Sequence, residues 1–177
     1  MITESAGAVP PIPARMPAHV LEDKMAPRPP EPHPPGPGLT RAFEHRVSWG
    51  WCDAAGIVFY PRYYELFDMA TQALLRGVGL DHHTLRARYG VVGMSLVEAK
   101  ATFRAPATFD EVLTVTTEVA RVGERSVRLE HRVERGGTLL VAGYEARVWA
   151  REKDEGPGLT AAPIPLEVRR ALLGEGH

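Results

Sequence analysis

Between Arg62 and Val78 the chain carries a helix-length segment that is apolar on nearly every side, and this constrains its fold more than any other feature. Tyr63, Phe67, Ala70, Leu74 and Val78 fall on one face with further apolar residues beside them, while Glu65, Asp68 and Gln72 mark a narrow polar stripe. Such a helix has to be covered by other elements. The residues that follow supply the cover. Val97, Ala99, Ala101 and Phe103 alternate with polar neighbours at the period of a strand. So do Leu113, Val115, Thr117 and Val119, then Val127, Leu129, His131 and Val133, and last Leu140, Ala142, Tyr144, Ala146 and Val148. Gly123-Glu124 and Gly136-Gly137 lie between the later runs, where tight hairpins are expected. A long apolar helix followed by an antiparallel meander has one economical solution, an α+β fold in which a curved antiparallel sheet wraps around the helix. Pro61 suits the first helical position, because its missing N–H would have no partner there, and Tyr60 is then the cap. Gly77 and Gly79 provide the stop, and a short helical piece follows around His82 to Tyr89.

Ahead of the helix, Phe43, His45, Val47 and Trp49 alternate as a half-buried strand and lead to Asp53 in a Gly/Ala turn. This puts a carboxylate beside the open N–H groups and partial positive charge of a helix start, which polarise a carbonyl oxygen placed against them. An acid and an oxyanion site a few residues apart point to acyl chemistry. An Asp in such a turn often only bonds its own backbone, so a purely structural role stands beside the catalytic one.

The rest of the composition excludes several function classes. With 21 basic and 22 acidic residues, the chain has no overall field to favour nucleic acid or an anionic membrane. One cysteine, Cys52, rules out an internal disulfide and fits a reducing compartment. No stretch has the length and apolarity of a membrane span and no signal pattern opens the chain, so a cytoplasmic location is expected. The first forty residues hold 11 of the 16 prolines and little that could face a core. They read as a disordered, locally polyproline-like extension with no catalytic role, and Met16 and Met25 are alternative starts. Residues 41–152 form the folded domain. Residues 153–177 follow as a C-terminal tail, with a polar linker from Glu152 to Gly158 and a short surface helix from Pro165 to Leu173.

The run WGWCDAAGIVFYPRYYELFD, from Trp49 to Asp68, resembles the signature of the 4-hydroxybenzoyl-CoA thioesterase family of hot-dog fold proteins. There a strand leads through D-x-A-G-I-V into a long central helix. The similarity continues through GVVGMSLVEAKATFRAPATFDEVLTVTTEVARVGERSVRLEHRV and covers Phe43 to Ala150. It implies the hot-dog fold and hydrolysis of an acyl-CoA thioester to free acid and CoA, with no metal or organic cofactor. Asp53 stands at the position of the family's catalytic carboxylate, as nucleophile or as general base, since both need the same placement. The Tyr60 backbone N–H stands at the position of the oxyanion donor.

The resemblance also implies that Asp68 reaches a para-hydroxyl on the substrate ring, alongside a threonine. That threonine is replaced here by Met94. A site that loses a hydroxyl-binding donor discriminates less for a hydroxylated ring, which leaves benzoyl and other acyl groups as alternatives to 4-hydroxybenzoyl. Phe59, Tyr63 and Met94 are expected to shape the acyl cavity with a partner subunit. Arg121, Arg125 and Arg128 surround the Gly123 turn, where family members contact the CoA phosphates, and Arg125 carries over most directly. The family pairs sheets edge to edge, so a homodimer or homotetramer is expected.

The remaining chemical candidates have bland readings. Cys52 has no histidine in its local pattern to activate it. His82 and His83 point apart on a helix and read as surface residues, and His131 reads as packed or partly exposed on a strand face. A hot-dog dehydratase needs an acid–base pair, typically aspartate with histidine, and no histidine lies between Trp49 and Asp68. A non-catalytic acyl-CoA-binding module and a thioesterase for aliphatic acyl-CoA are the alternatives to aryl-CoA hydrolysis.

Overall fold

In the computed structural model the described residues are 38–175, so the Pro-rich segment lies almost wholly outside them. Strand β1 (Thr40–Arg46) is followed by a single 3₁₀ turn at Trp49–Trp51. The alternation expected to run through Trp49 therefore stops early. Val47 and its neighbours pair with Asp110 and Glu111, the chain then turns, and Trp49 is left 76% exposed with its ring edge-on to Phe109. Helix α1 (Pro61–Gly77) has Pro in its first turn and buries Tyr63, Leu66, Phe67, Ala70, Thr71, Leu74 and Leu75. Helix α2 (His82–Tyr89) is capped by Asp81, whose carboxylate accepts from the His83 and Thr84 amides.

The sheet strands follow: β2 (Gly93–Phe103), β3 (Val112–Val122), β4 (Ser126–Arg135), β5 (Thr138–Glu152) and the short β6 (Leu159–Ala161). Their order is β1-β3-β4-β5-β2, with β6 on β5, and every pairing is antiparallel. Gly136 and Gly137 join β4 to β5 with φ of 54° and 82°, a left-handed pair that glycine adopts without a Cβ clash. Helix α1 packs on one face of this sheet, the helix-and-sheet arrangement of a hot-dog fold.

The inward faces of β3 and β4 are the expected ones, since Leu113, Val115, Thr117, Val119, Val127, Leu129, His131 and Val133 are all buried. Strand β5 is displaced by one residue from expectation. Leu140 is buried as expected, but beyond it the buried face is Val141, Glu145, Arg147 and Trp149, whereas Ala142, Tyr144, Ala146 and Val148 are only partly covered. A one-residue shift exchanges the two faces of a strand, and here the inner face carries two charged residues that a pattern of apolar alternation assigns to solvent. On β2, Val97 is not inward either. The register slips between Leu96 and Glu98, and that bulge turns Val97 out to 61% exposure on the free edge.

Helix α3 (Leu166–Leu173) is more than the expected surface element. Val168 and Leu172 are buried in the cluster formed by Leu74, Val119 and Leu129, and the Leu172 carbonyl accepts from the Leu39 amide. The segment before it is a hairpin loop closed by the Lys153 amide on the Gly158 carbonyl.

Candidate active site

The chain reverses at Asp53 through a tight turn. The Asp53 amide donates to the Ile57 carbonyl at 2.9 Å, the Gly56 amide to the Asp53 carbonyl at 2.9 Å, and Gly56 takes a φ of 74°. The side chain is exposed, and its Oδ1 accepts from the Ala55 amide at 2.8 Å. The turn-forming reading of Asp53 is therefore realised, yet among the described residues only one carboxylate oxygen is engaged and the group faces solvent.

Three residues beyond Gly56, Phe59 is fixed by its amide on the Trp51 carbonyl. The amides that follow are used in sequence: Arg62 donates to the Phe59 carbonyl, Tyr63 to the Tyr60 carbonyl, and Pro61 has none to give. The Tyr60 N–H has no acceptor among the described residues. It is an open donor at the positive end of a seventeen-residue helix, the property an oxyanion site requires. The Phe59 and Tyr60 rings, 46% and 59% exposed, meet edge to face beside it. Behind the turn, His45 stacks on Trp51 with centroids 4.2 Å apart; burial pushes its pKa down, and its buried Nε2 has no hydrogen-bond partner among the described residues. Cys52 is half-buried in a bridge to Val58.

A buried polar network joins α1 to the sheet. Thr117 and His131 oppose each other on β3 and β4 and share a 2.8 Å hydrogen bond at His131 Nδ1. His131 Nε2 faces Glu145 Oε2 at 3.4 Å, an electrostatic approach rather than a well-formed hydrogen bond. Glu145 accepts from Thr71 at 2.8 Å and from Arg147 Nε and Nη2 at 2.9 and 3.0 Å. Arg147 Nη1 donates to the Met94 carbonyl at 3.2 Å, and Nη2 reaches Asp68 Oδ1 at 2.6 Å. Burial alone would raise the Glu145 carboxyl, but His131 and the forked guanidinium outweigh it and bring its pKa to about 2. Burial would likewise lower Arg147, and Glu145 and Asp68 reverse this and raise it.

Asp68 thus emerges on the polar stripe of α1, as expected, but held by a buried arginine. Met94 is buried, 6% exposed in the cluster with Leu74 and Trp149, and its carbonyl joins the network. Glu145 and Arg147 escaped the sequence reading because the assumed register turned them outward. The available signal was two opposite charges at a spacing of two within an otherwise apolar strand, Val141 to Trp149.

At the β3–β4 turn, Arg121, Arg125 and Arg128 line a groove of about 440 Å³ with Gly123 and Glu124. They are not equivalent. Arg128 is committed to the outer sheet face, its Nε 2.7 Å from Glu130 and its guanidinium 3.7 Å over the Tyr144 ring. Arg125 has Glu124 at 3.5 Å on exposed surface, and the Arg121 side chain makes no hydrogen bond or ion pair among the described residues. No group of three or more His, Cys, Asp or Glu among the described residues is placed to hold a metal ion, and no helix there is long and apolar enough to cross a membrane.

Residues 47–172 match the thioesterase-like superfamily. The chain is 33% identical over 131 residues to the 4-hydroxybenzoyl-CoA thioesterase of Pseudomonas sp. (strain CBS-3), which covers 70% of this chain and 91% of that protein. The three-dimensional structure of that enzyme superimposes with a TM-score of 0.70 at 29% identity, covering 75% of this chain and 98% of the other. A gentisyl-coenzyme A thioesterase superimposes with a TM-score of 0.64 at 35% identity, covering 73% and 99%.

Proposed function

Because this chain belongs to the thioesterase-like superfamily and is an acyl-CoA thioesterase of the hot-dog fold, we propose that it hydrolyses an aryl-CoA thioester with Asp53 as the reacting carboxylate and the Tyr60 N–H as the oxyanion donor. The observation that carries this reading is the open Tyr60 amide, the one donor at the helix start left without an acceptor among the described residues, four residues beyond the Asp53 turn. A thioester oxygen placed against it becomes more electrophilic at carbon and, as the tetrahedral adduct forms, gains charge where the donor already points. Asp53 either attacks that carbon, forming an anhydride that water then cleaves, or takes a proton from the attacking water. Both routes consume one water and release the acid and the CoA thiol.

The spacing on α1 supports an aromatic acyl group. Asp68 lies eight residues beyond Tyr60, about 12 Å along a helix axis, and its Cα–Cβ bond leans back toward the helix start. One aromatic acyl group with a hydrogen bond at each end fills such a span. The similar Pseudomonas and gentisyl enzymes act on aryl esters by their names. Arg121 and Arg125, with unspent donors round one groove, are the proposed contacts for the CoA phosphates. The working unit is proposed to be at least a homodimer.

Release of free thiol from benzoyl-, hydroxybenzoyl-, phenylacetyl- and straight-chain acyl-CoA esters tests the substrate class, and faster turnover of a straight-chain ester would refute it. Asp53→Asn keeps the acceptor for the Ala55 amide and removes the charge, so it is expected to fold normally and lose about a hundredfold to ten-thousandfold in kcat. Near wild-type turnover in that variant would refute the role of Asp53.

A further inference from the structure

Arg147 is a costly residue to place where it is. Its side chain is 5% exposed, it sits in the middle of an inner sheet face, and breaking a buried ion pair is far more damaging than never having had one. Glu145 alone would neutralise it, through a two-pronged contact at 2.9 and 3.0 Å. The guanidinium nevertheless spends Nη2 on a second carboxylate, Asp68, and Nη1 on the Met94 carbonyl. Asp68 is the member of this network that emerges at the surface, with a side chain 55% exposed. Its Oδ1 is taken by Arg147, and its Oδ2 accepts no hydrogen bond among the described residues.

We propose that Arg147 is a positioning residue for acyl-group recognition: braced by Glu145 and the Met94 carbonyl, it fixes the Asp68 carboxylate so that Oδ2 alone is presented, as an acceptor for a hydroxyl on the aryl ring. An unbraced Asp on a helix surface samples several rotamers, and ordering it on binding has to be met from the binding energy. Held at 2.6 Å by a planar donor that is itself clamped by Glu145 and the Met94 carbonyl, Asp68 has lost that freedom before substrate arrives. With the Met94 side chain turned into the core, the proposed distinction rests on Asp68 alone. A hydroxylated ring satisfies Oδ2, whereas an unsubstituted ring strips water from it and gives nothing back. The inference rests on the reading above that Asp68 faces the acyl group.

The measurement is the ratio of kcat/KM for 4-hydroxybenzoyl-CoA to that for benzoyl-CoA, in wild type, Asp68→Asn, Arg147→Lys and the double variant. Lysine keeps the charge but cannot hold Glu145 and Asp68 with one rigid fork. Wild type is expected to favour the hydroxylated ester by about tenfold or more, and Arg147→Lys to lose most of that preference through a raised KM for the hydroxylated ester. The double variant should lose no more than Asp68→Asn alone, because the two residues act as one unit. Should Arg147→Lys fail to fold, Glu145→Gln with Arg147→Met removes both buried charges together and puts the same question. A wild type without preference, or an Asp68→Asn variant that keeps the wild-type ratio, overturns the assignment of Asp68 and this inference with it. If Asp68→Asn abolishes the preference while Arg147→Lys keeps it, or lowers kcat for both esters alike, the positioning role is overturned and the reading of Asp68 stands.

Discussion

A carboxylate that is 2% exposed must have its charge met inside the protein, and Glu145 is met by Arg147, Thr71 and His131. Its folded pKa of about 2 lies below the ordinary 4.5, so folding favours the ionised form. The resulting stabilisation, about 3 kcal/mol, is fully present above pH 4.5 and is lost as the pH falls toward 2. Glu145→Gln is therefore expected to be clearly less stable than wild type in urea unfolding at pH 7, and the difference should narrow between pH 4.5 and 2. A gap that stays constant over that range would show that the charge of Glu145 is not what stabilises the fold. At this scale the sequence was informative where chemistry is local and silent where it is not. Asp53 and Tyr60 lie seven positions apart in one strand–turn–helix segment, so a turn residue and a proline mark them. Asp68, His131, Glu145 and Arg147 come from one helix and two strands, and no spacing along the chain announces that they meet.

Among the elements, the helices and hairpins were legible and the face of one strand was not. Pro61, Gly77 and Gly79 bound α1 as read, and Gly136-Gly137 turn as read, because each of these residues acts through its own backbone. Strand β5 was misread because its outer face holds Tyr144, Ala146 and Val148 while its inner face holds Glu145 and Arg147. Apolarity then points the wrong way, and only the partner strands fix the register. The same inner face has a position that no pattern of apolar residues could reveal. Gly143 lies opposite His131, and the Phe67 ring stacks on that imidazole at 4.5 Å with its plane within 9°. A Cβ on Gly143 would stand 2.6 Å from Phe67 Cε2 and near the Lys100 backbone carbonyl, so the helix approaches the sheet only because the side chain is absent. Gly143→Ala is expected to destabilise by about 1–3 kcal/mol and to lower Tm by several degrees. An unchanged Tm would mean that α1 is free to shift away from β5.

At the scale of the molecule, the sheet of the described residues ends in edges with no further strand on them. Strand β2 is eleven residues long, pairs among the described residues only with β5, and exposes Leu96, Val97 and Phe103. Proteins block such edges with charge or cover them, and this one carries exposed apolar residues there beside the charged Glu98 and Lys100. The proposed reacting groups make the same demand. Asp53, Phe59 and Asp68 all lie on open surface of the single chain, whereas a thioester adduct gains little from an N–H donor that water can reach. A second copy laid along β2 would answer both needs if it paired the edge and walled the surface on which Asp68 opens. The protein is therefore expected to run at twice the 19.4 kDa of one chain, or a higher even multiple, in light scattering at assay concentration. Leu96→Lys combined with Val97→Lys should shift it toward the single-chain mass, with thiol release falling in step with the loss of dimer as the protein is diluted. A lysine-edged protein that is monomeric and fully active would separate the two needs and return the whole site to one chain.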